Sequence, residues 1–155
     1  MNTMNNVNEP TTTIKRFTID TNEGDYTFDG TQLGFGTSRR GSHLHPPYVT
    51  TPPPGVRCSG CRWTETTIYW SSSDSKYIVH IVGRSIVPGE QNRYRTIWAD
   101  EADDVLDSLL ISPPRHVNAP PGTLELPQPN AHALEEAAER DAEIAEVLKS
   151  WNDDN

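Results

Sequence analysis

Cysteine is scarce in this sequence, and no part of it is continuously apolar over a long stretch. The two cysteines, Cys58 and Cys61, are separated by only two residues. So close a pair cannot staple a secreted fold across long loops, which favours a metal-binding turn or a redox pair in a reducing compartment. No segment could cross a bilayer, and the Asn-rich residues 1–10 lack the regions of a signal peptide. We therefore expect a soluble protein in the cytoplasm, without membrane contact.

Apolar residues are also few. They make up 34% of the chain, which contains 13 prolines. This composition predicts one compact domain that packs only about two-thirds of the chain. The predicted organisation is a disordered leader over residues 1–12, a β-rich domain over 13–111, a Pro-rich linker over 112–130, and an acidic amphipathic helix with a tail over 131–155.

The charge of the chain is unevenly distributed. The formal net charge is -9, but residues 1–99 contain ten cations and eight acidic residues, whereas residues 100–155 contain three cations and fourteen acidic residues. The sequence therefore predicts a near-neutral body followed by an acidic C-terminal part.

Alternating apolar residues and turn signals predict a sheet. Three short antiparallel strands are expected around residues 17–19, 26–28 and 33–35, with turns at residues 22–24 and at Asp29-Gly30. Two further strands, over residues 63–70 and 76–82, flank Ser71-Ser72-Ser73-Asp74, which is typical of a hairpin. A last strand over residues 93–98 follows a turn at Pro88-Gly89.

Two helices are expected after the sheet. The first begins after Asp100, which can cap it, buries residues such as Val105 and Leu109, and ends before Pro113. The second runs from Ala131 to about residue 151 with Asn130 as its cap, although Asp141 interrupts its apolar stripe. The predicted fold class is α+β, a small antiparallel β-sheet domain with a zinc knuckle, one packed helix, and a C-terminal helix after a Pro-rich linker.

Four residues with metal-binding side chains lie within one short segment, namely His43, His45, Cys58 and Cys61. A C-x-x-C turn supplies two thiolates from one tight loop, and Gly60 permits that turn. Histidines at i and i+2 of an extended segment point to the same side, roughly 6 to 7 Å apart, and can reach one ion. This spacing predicts a structural Zn²⁺ site with these four ligands.

Other interpretations of these residues stay open. The cysteines could be two buried thiols beside ordinary loop histidines, whereas a redox disulfide would require a βαβ context that the pattern lacks. His80 could substitute as a ligand, but its alternating strand context favours a hydrogen-bonded core histidine. A catalytic zinc keeps one coordination position open, which four good ligands would close, so we expect no enzymatic activity.

The segment from Gly30 to Thr64 contains no acidic residue, and it carries arginines close to the predicted metal site. Arginines pair with phosphates and aromatic rings stack on bases, which indicates a nucleic-acid surface made by Arg39, Arg40, Arg57, Arg62 and Trp63. The alternative is that the cations compensate the thiolates and that Trp63 fills the core below the knuckle.

The second predicted helix has two candidate arrangements. Its apolar stripe can pack on the domain, or the helix can extend on its linker and dock on a protein partner. Docking would use an apolar set formed by Leu134, Ile144, Leu148 and Trp151.

Several segments carry a resemblance, namely residues 36–45, Arg57-Cys58-Ser59-Gly60-Cys61-Arg62-Trp63, residues 77–80 and Val87-Pro88-Gly89-Glu90. Through them the middle third to half of the chain resembles small uncharacterised proteins encoded by phages of actinobacteria. The resemblance implies a phage origin, expression inside a bacterial host, and an accessory or host-directed role.

The residues and the resemblance together favour one functional hypothesis, a non-enzymatic zinc-stabilised module that interacts with an unidentified protein partner. The alternatives are a zinc protein that binds nucleic acid and a structural protein of the virion. The oligomeric state is left open.

Overall fold

The computed structural model describes residues 13–39, 59–113 and 117–154 of the chain. Within these ranges it contains strands β1 (Lys15–Thr21), β2 (Gly24–Thr37), β3 (Arg62–Ser71), β4 (Lys76–Ser85) and β5 (Arg93–Ala99), a 3-10 turn over Ser59–Cys61, and helices α1 (Ala102–Leu109), α2 (Gln128–Ala138) and α3 (Ala142–Asp154). The α+β class is confirmed, with three helices where two were expected. Among the described helices, none combines the length and the apolar content that crossing a membrane requires.

The five strands form one antiparallel sheet in which every strand pairs with its neighbours in sequence, in the order β1-β2-β3-β4-β5. The predicted hairpin at residues 71–74 is confirmed as the β3–β4 connection, and the three strands after the cysteines end within three residues of their predicted ends. Short turns between alternating strands are local signals, which explains why this part of the sheet is predictable.

Strand β2 is continuous, so the predicted turn at Asp29-Gly30 is wrong. The first half of β2 pairs with β1 and the second half with β3, and both partners meet at Gly30. A Cβ atom at Gly30 would lie 2.1 Å from the carbonyl oxygen of Trp70. The glycine is therefore required by the close approach of two backbones and not by a turn.

The sheet curls until the β1–β2 turn reaches β5. The Asn22 Nδ2 atom donates a hydrogen bond to the carbonyl oxygen of Tyr94 at 2.9 Å. His80 Nε2 lies 2.7 Å from the carbonyl oxygen of Asp20, and His80 is 8% exposed, which confirms the predicted hydrogen-bonded core histidine. Inside the curl a small core contains Ile19, Phe28, Tyr69 and Ile78.

The three helices cover the other face of the sheet and share one core with it. Helix α2 lies directly on β2 because glycines occupy two of the contacting positions of the strand. A Cβ atom at Gly34 would lie 2.0 Å from the carbonyl oxygen of Ala133, and one at Gly36 would lie 1.9 Å from that of Pro129. Two glycines thus determine how closely the helix approaches the sheet.

Helix α1 buries the predicted face, including Val105 and Leu109, and its helical hydrogen bonding ends before Pro113 as expected. The predicted cap is wrong, because Glu101 occupies the N-cap position without a side-chain cap. The Asp100 carboxylate instead lies 3.3 Å from Lys76 Nζ.

The single helix predicted from Ala131 is two helices, α2 and α3, and α2 begins inside the predicted linker. Asn130 is not its cap but a buried residue of its first turn. The Asn130 Oδ1 atom accepts a hydrogen bond from Thr66 Oγ1 at 2.5 Å, and Nδ2 donates to the carbonyl oxygen of Leu109 at 2.8 Å. One amide side chain therefore joins α2, β3 and the end of α1.

Asp141 explains the break between α2 and α3. Its Oδ1 atom accepts a hydrogen bond from the backbone N–H of Ile144 at 3.0 Å, which caps α3. Its Oδ2 atom accepts from the Tyr77 hydroxyl at 2.8 Å. Because the carboxylate is held by both the new helix and the sheet, the chain starts a second helix at this position.

The apolar stripe considered for partner docking packs on this chain's own domain. Leu134 and Ile144 are fully buried, and Leu148 and Trp151 are partly buried against the same core. This is one of the two arrangements that the sequence allows. In it, Leu134 and Ile144 are closed to a partner, whereas Leu148 and Trp151 keep part of their surface exposed.

Candidate functional site

A cleft of about 700 Å³ opens at the end of the sheet where β3 begins and β4 ends. We call it the arginine cleft, since its lining includes Arg62, Arg84 and Arg93, with Glu90 as the one carboxylate among the lining residues. This lining is net positive in a chain with a net charge of -9.

Strand pairing and one turn bring these residues together. The antiparallel β3–β4 register places Arg62 opposite Ser85. After β4, the predicted Pro88-Gly89 turn is confirmed by a hydrogen bond from the Glu90 N–H to the carbonyl oxygen of Val87 at 3.1 Å. The turn returns Glu90 to the strand ends just before β5 begins.

The Glu90 carboxylate accepts hydrogen bonds at both of its oxygens. Arg62 donates to both of its oxygens, with Nε at 2.8 Å from Oε1 and Nη2 bonded to Oε2. The Ser85 hydroxyl donates to Oε1 at 2.6 Å. The bonds from Arg62 and then Ser85 lower the pKa of Glu90 from 4.5 to about 2. Glu90 is therefore ionised at neutral pH and holds Arg62 in place.

A second carboxylate lies next to the arginine cleft, on the inner face of the sheet. Glu65 accepts hydrogen bonds from Arg84 Nε at 2.5 Å and from Trp63 Nε1 at 2.9 Å. Burial alone would raise the pKa of Glu65, but these two bonds and the nearby arginine charges hold it below its ordinary value. Trp63 is 8% exposed, and the Arg39 guanidinium lies 4.2 Å from the centre of its ring.

Arg93 differs from the other arginines of the cleft. Its side chain is exposed and makes no hydrogen bond or ion pair with another residue in the described ranges. It lies close enough to Glu90 to lower the pKa of that carboxyl. The neighbouring Asn92 accepts a hydrogen bond from the Ser85 N–H through Oδ1 at 3.1 Å, which orients its side-chain amide. The rim therefore presents one available guanidinium beside one oriented amide.

Gly83 leaves room inside the arginine cleft. A Cβ atom at this position would meet only Arg93, whose Cβ would be 3.8 Å away and whose carbonyl oxygen would be 3.9 Å away. These are ordinary contact distances, so a Cβ atom can be added here without displacing backbone.

The predicted metal ligands lie mostly outside the described residues. His43, His45 and Cys58 fall in that part of the chain, and Cys61 is described. Cys61 is fully buried at the end of the 3-10 turn, and its carbonyl oxygen accepts a hydrogen bond from the Ile86 N–H at 3.0 Å. Residues 13–39, 59–113 and 117–154 contain no group of three or more His, Cys, Asp or Glu that could hold a metal ion. The Zn²⁺ site stays a prediction.

The predicted nucleic-acid residues do not form an open stacking surface in the described part. Arg40 and Arg57 lie outside it. Arg62 is bonded to Glu90, and Arg39 covers the buried Trp63. The alternative in which Trp63 fills the core below the cysteine turn fits this arrangement.

Sequence reasoning missed Arg84, Glu65, Glu90 and Arg93 as members of this site. A signal was present, because Arg84 and Arg93 flank the predicted Pro88-Gly89 turn and must therefore come close to each other. Their pairing with residues of β3 depends on strand register, which the turn alone does not determine.

A second cavity, of about 690 Å³, lies at the opposite end of the β3–β4 hairpin. We call it the Tyr77 cavity. Its lining includes Trp70, Tyr77, Arg140 and Asp141. The rings of Trp70 and Tyr77 meet edge to face with centres 4.9 Å apart. Burial and the hydrogen bond to Asp141 raise the pKa of Tyr77, so its hydroxyl keeps its proton and remains a donor.

Comparison of the chain with protein-family models, with curated proteins and with solved structures found no match.

Proposed function

We propose that this chain is a non-enzymatic interaction module that receives a segment of a partner protein in the arginine cleft. The observation that supports this is the state of Glu90 and Glu65, which are each held by an arginine and a neutral donor. General acid–base catalysis requires a group whose pKa lies near the working pH. Both pKa values are lowered, so these carboxylates suit the positioning of arginines and not proton transfer.

The size and construction of the arginine cleft fit recognition. Its volume of about 700 Å³ lies within the range of roughly 300 to 1,000 Å³ that ligand pockets occupy. Its walls are strand ends and a turn, and the side chains of Arg62, Arg84, Ser85 and Glu90 are already hydrogen-bonded. A partner would therefore meet walls that need little ordering upon binding, with Arg93 as the side chain that becomes ordered.

The zinc site belongs to the same proposal. His43, His45, Cys58 and Cys61 would hold Zn²⁺, which would supply folding energy at the start of β3. The support is local, since Cys61 is fully buried and immediately precedes Arg62 of the arginine cleft. Metal analysis of the purified protein should find one zinc per chain, and Cys61→Ser should lose it and unfold at lower temperature. A metal-free protein with unchanged stability would contradict the zinc proposal.

The resemblance to actinobacterial phage proteins gives the proposal its setting. In this setting the partner is a protein of the bacterial host, and the chain is an accessory or host-directed phage protein. Mass spectrometry of purified virions tests the structural alternative. Presence of the chain in those particles would favour a virion role over the proposed one.

The decisive experiment fills the arginine cleft. Gly83→Leu adds a side chain at a position where the nearest atom to a new Cβ, the Cβ of Arg93, is 3.8 Å away. The matched control is Thr18→Leu, which introduces the same side chain at an exposed position of β1. Proteins captured from nuclease-treated host lysate should be lost with Gly83→Leu and retained with Thr18→Leu. Equal capture by both folded variants would refute docking in the cleft. Capture that occurs only from lysate not treated with nuclease would indicate nucleic acid instead.

A further inference from the structure

We infer that the arginine cleft selects an acidic segment of the partner protein and that Arg93 binds a carboxylate side chain of that segment. This inference rests on the proposed function and specifies the chemistry of its ligand. Its starting point is the difference in hydrogen bonding among the three arginines of the cleft.

Two of the three arginines already have carboxylate partners. Arg62 is bonded to both oxygens of Glu90, and Arg84 is bonded to Glu65. Breaking either pair to bind a ligand would leave a carboxylate without its cation. Arg93 has no such partner among the described residues. Its guanidinium is therefore the group that an incoming anion can reach without displacing an existing bond.

The groups around Arg93 complete a set of donors. The Asn92 side chain is oriented by its bond from Ser85, which leaves its NH₂ group to donate, and the exposed Gln91 amide lies beside it on the rim. Glu90 has its oxygens engaged by Arg62 and Ser85 and offers little to a cationic ligand. A carboxylate accepts two parallel hydrogen bonds from a guanidinium and further bonds from amide N–H groups. The site thus has the donors that a carboxylate needs.

Nucleic acid fits the same cleft less well. Its affinity comes from many cation–phosphate contacts, whereas the cleft offers Arg93 as its uncommitted guanidinium among the described residues. Base stacking needs an exposed ring, and Trp63 is 8% exposed beneath Arg39. The net charge of -9 also repels a long polyanion more strongly than a short segment with one or two carboxylates.

Fluorescence anisotropy with defined probes tests the inference. The probes are a labelled, C-terminally amidated peptide of alternating glycine and glutamate, its glutamine counterpart, the glutamine peptide with a free C-terminus, and a labelled oligothymidylate. We expect the glutamate peptide to bind the full chain and Arg93→Ala to weaken it about tenfold or more, because the variant loses the paired, charge-assisted hydrogen bonds between guanidinium and carboxylate. Arg93→Lys should bind the glutamate peptide with intermediate affinity, since lysine keeps the positive charge but cannot donate two parallel hydrogen bonds to one carboxylate.

The matched control is Arg16→Ala. It removes the same charge from an exposed arginine that pairs with Asp29 on β1, and it should change the affinity less than about twofold. A second variant, Gly83→Glu, places a carboxylate inside the cleft next to Arg93 and should block the peptide more strongly than Gly83→Gln does.

Four results would overturn the inference. They are equal binding of the glutamate and glutamine peptides, equal weakening by Arg93→Ala and Arg16→Ala, binding that requires only the free C-terminus, and Arg93-dependent binding of the oligothymidylate in preference to the peptide. The proposed function fails separately. If Gly83→Leu removes the captured partner while the peptides show no preference for glutamate, docking in the cleft stands and the acidic ligand does not. If Arg93 binds the glutamate peptide but Gly83→Leu leaves capture intact, docking of the partner in the cleft is refuted.

Discussion

The arginine cleft and the Tyr77 cavity have nearly the same volume, about 700 and 690 Å³, and lie at opposite ends of one hairpin. Both are lined by arginine and carboxylate side chains. In the Tyr77 cavity these groups stabilise the fold. The Asp141 carboxylate accepts a hydrogen bond from the Tyr77 hydroxyl and caps α3. Arg140 Nη1 donates a hydrogen bond to the carbonyl oxygen of Leu33 at 3.1 Å. In the arginine cleft Arg93 is left available. Volume alone therefore does not distinguish a binding site from a structural junction. The two differ in whether their polar side chains already have hydrogen-bond partners within the fold.

The largest contrast should appear when the same methyl group is added at the α2–β2 contact, which holds the fold, and in the arginine cleft. Gly36→Ala would place Cβ 1.9 Å from the carbonyl oxygen of Pro129 and should lower the free energy of unfolding by about 3 kcal/mol, because α2 must move off the sheet. Gly83→Ala meets nothing closer than 3.8 Å and should change it by less than about 0.5 kcal/mol. Urea unfolding of both variants measures the contrast. Equal losses would show that α2 does not depend on its contact with β2.

A second contrast removes an amide from the contact between α2, β3 and α1 and another from the arginine cleft. Asn130→Ala should cost about 2 kcal/mol, because buried groups of Thr66 and Leu109 lose their partner. Asn92→Ala should cost about 0.5 kcal/mol, since Asn92 is only partly buried and water can reach the Ser85 N–H that it leaves. Thermal unfolding monitored by circular dichroism compares the two. A larger loss of stability for Asn92→Ala would mean that the hydrogen bond in the cleft contributes more to stability than the bonds of Asn130.

A smaller effect is expected at the Tyr77 cavity. Tyr77→Phe removes the hydroxyl that donates to Asp141 and should lower stability by about 1 kcal/mol. Hydrogen exchange should show faster opening at the start of α3, because the carboxylate that caps this helix loses its second anchor. Glutamate-peptide binding at the arginine cleft should be unchanged. A change in that binding would show that the two ends are coupled.

The smallest expected effect concerns pH at the arginine cleft. The folded-state pKa of Glu90 is about 2, below its ordinary value of 4.5. The stabilisation by Glu90 is therefore fully present above about pH 4.5 and is lost as the pH falls toward 2. NMR titration of the Glu90 side chain should give this low value in the native chain and a value closer to 4.5 in Arg62→Ala. An unchanged pKa in that variant would show that Arg62 does not hold the carboxylate.

The sequence predicts local features well and remote partners poorly. Strands β3, β4 and β5 follow from β-branched and aromatic runs beside clear turns, and α1 follows from the spacing of residues such as Val105 and Leu109. Asp29-Gly30 has the composition of a turn, but the glycine serves a backbone contact with Trp70. Asn130 has the composition of a helix cap, but its partners are Thr66 and Leu109. In both cases a tertiary contact outweighs the local preference.

The candidate site shows the same limit. Arg62 and Trp63 were found because they follow the cysteine pair, whereas their partners Glu90 and Glu65 become evident only from the strand register. Whether an arginine can bind a ligand depends on whether it already has such a partner. The sequence alone does not show this difference between Arg62 and Arg93. All four ligands of the predicted zinc site were proposed from the sequence, and Cys61 is the one that lies within the described residues.

The glycine surface of β2 has a consequence for the order of folding. Each pair of adjacent strands is consecutive in the chain, so the sheet can grow by successive hairpins. Helix α2 reaches β2 across about a hundred residues, as the bond from the Phe35 N–H to Glu136 illustrates. Contacts so distant in sequence form slowly, and synthesis proceeds from the N-terminus. During translation β2 should therefore expose the backbone around Gly34 and Gly36 until α2 leaves the ribosome, and over this period the strand needs protection from aggregation.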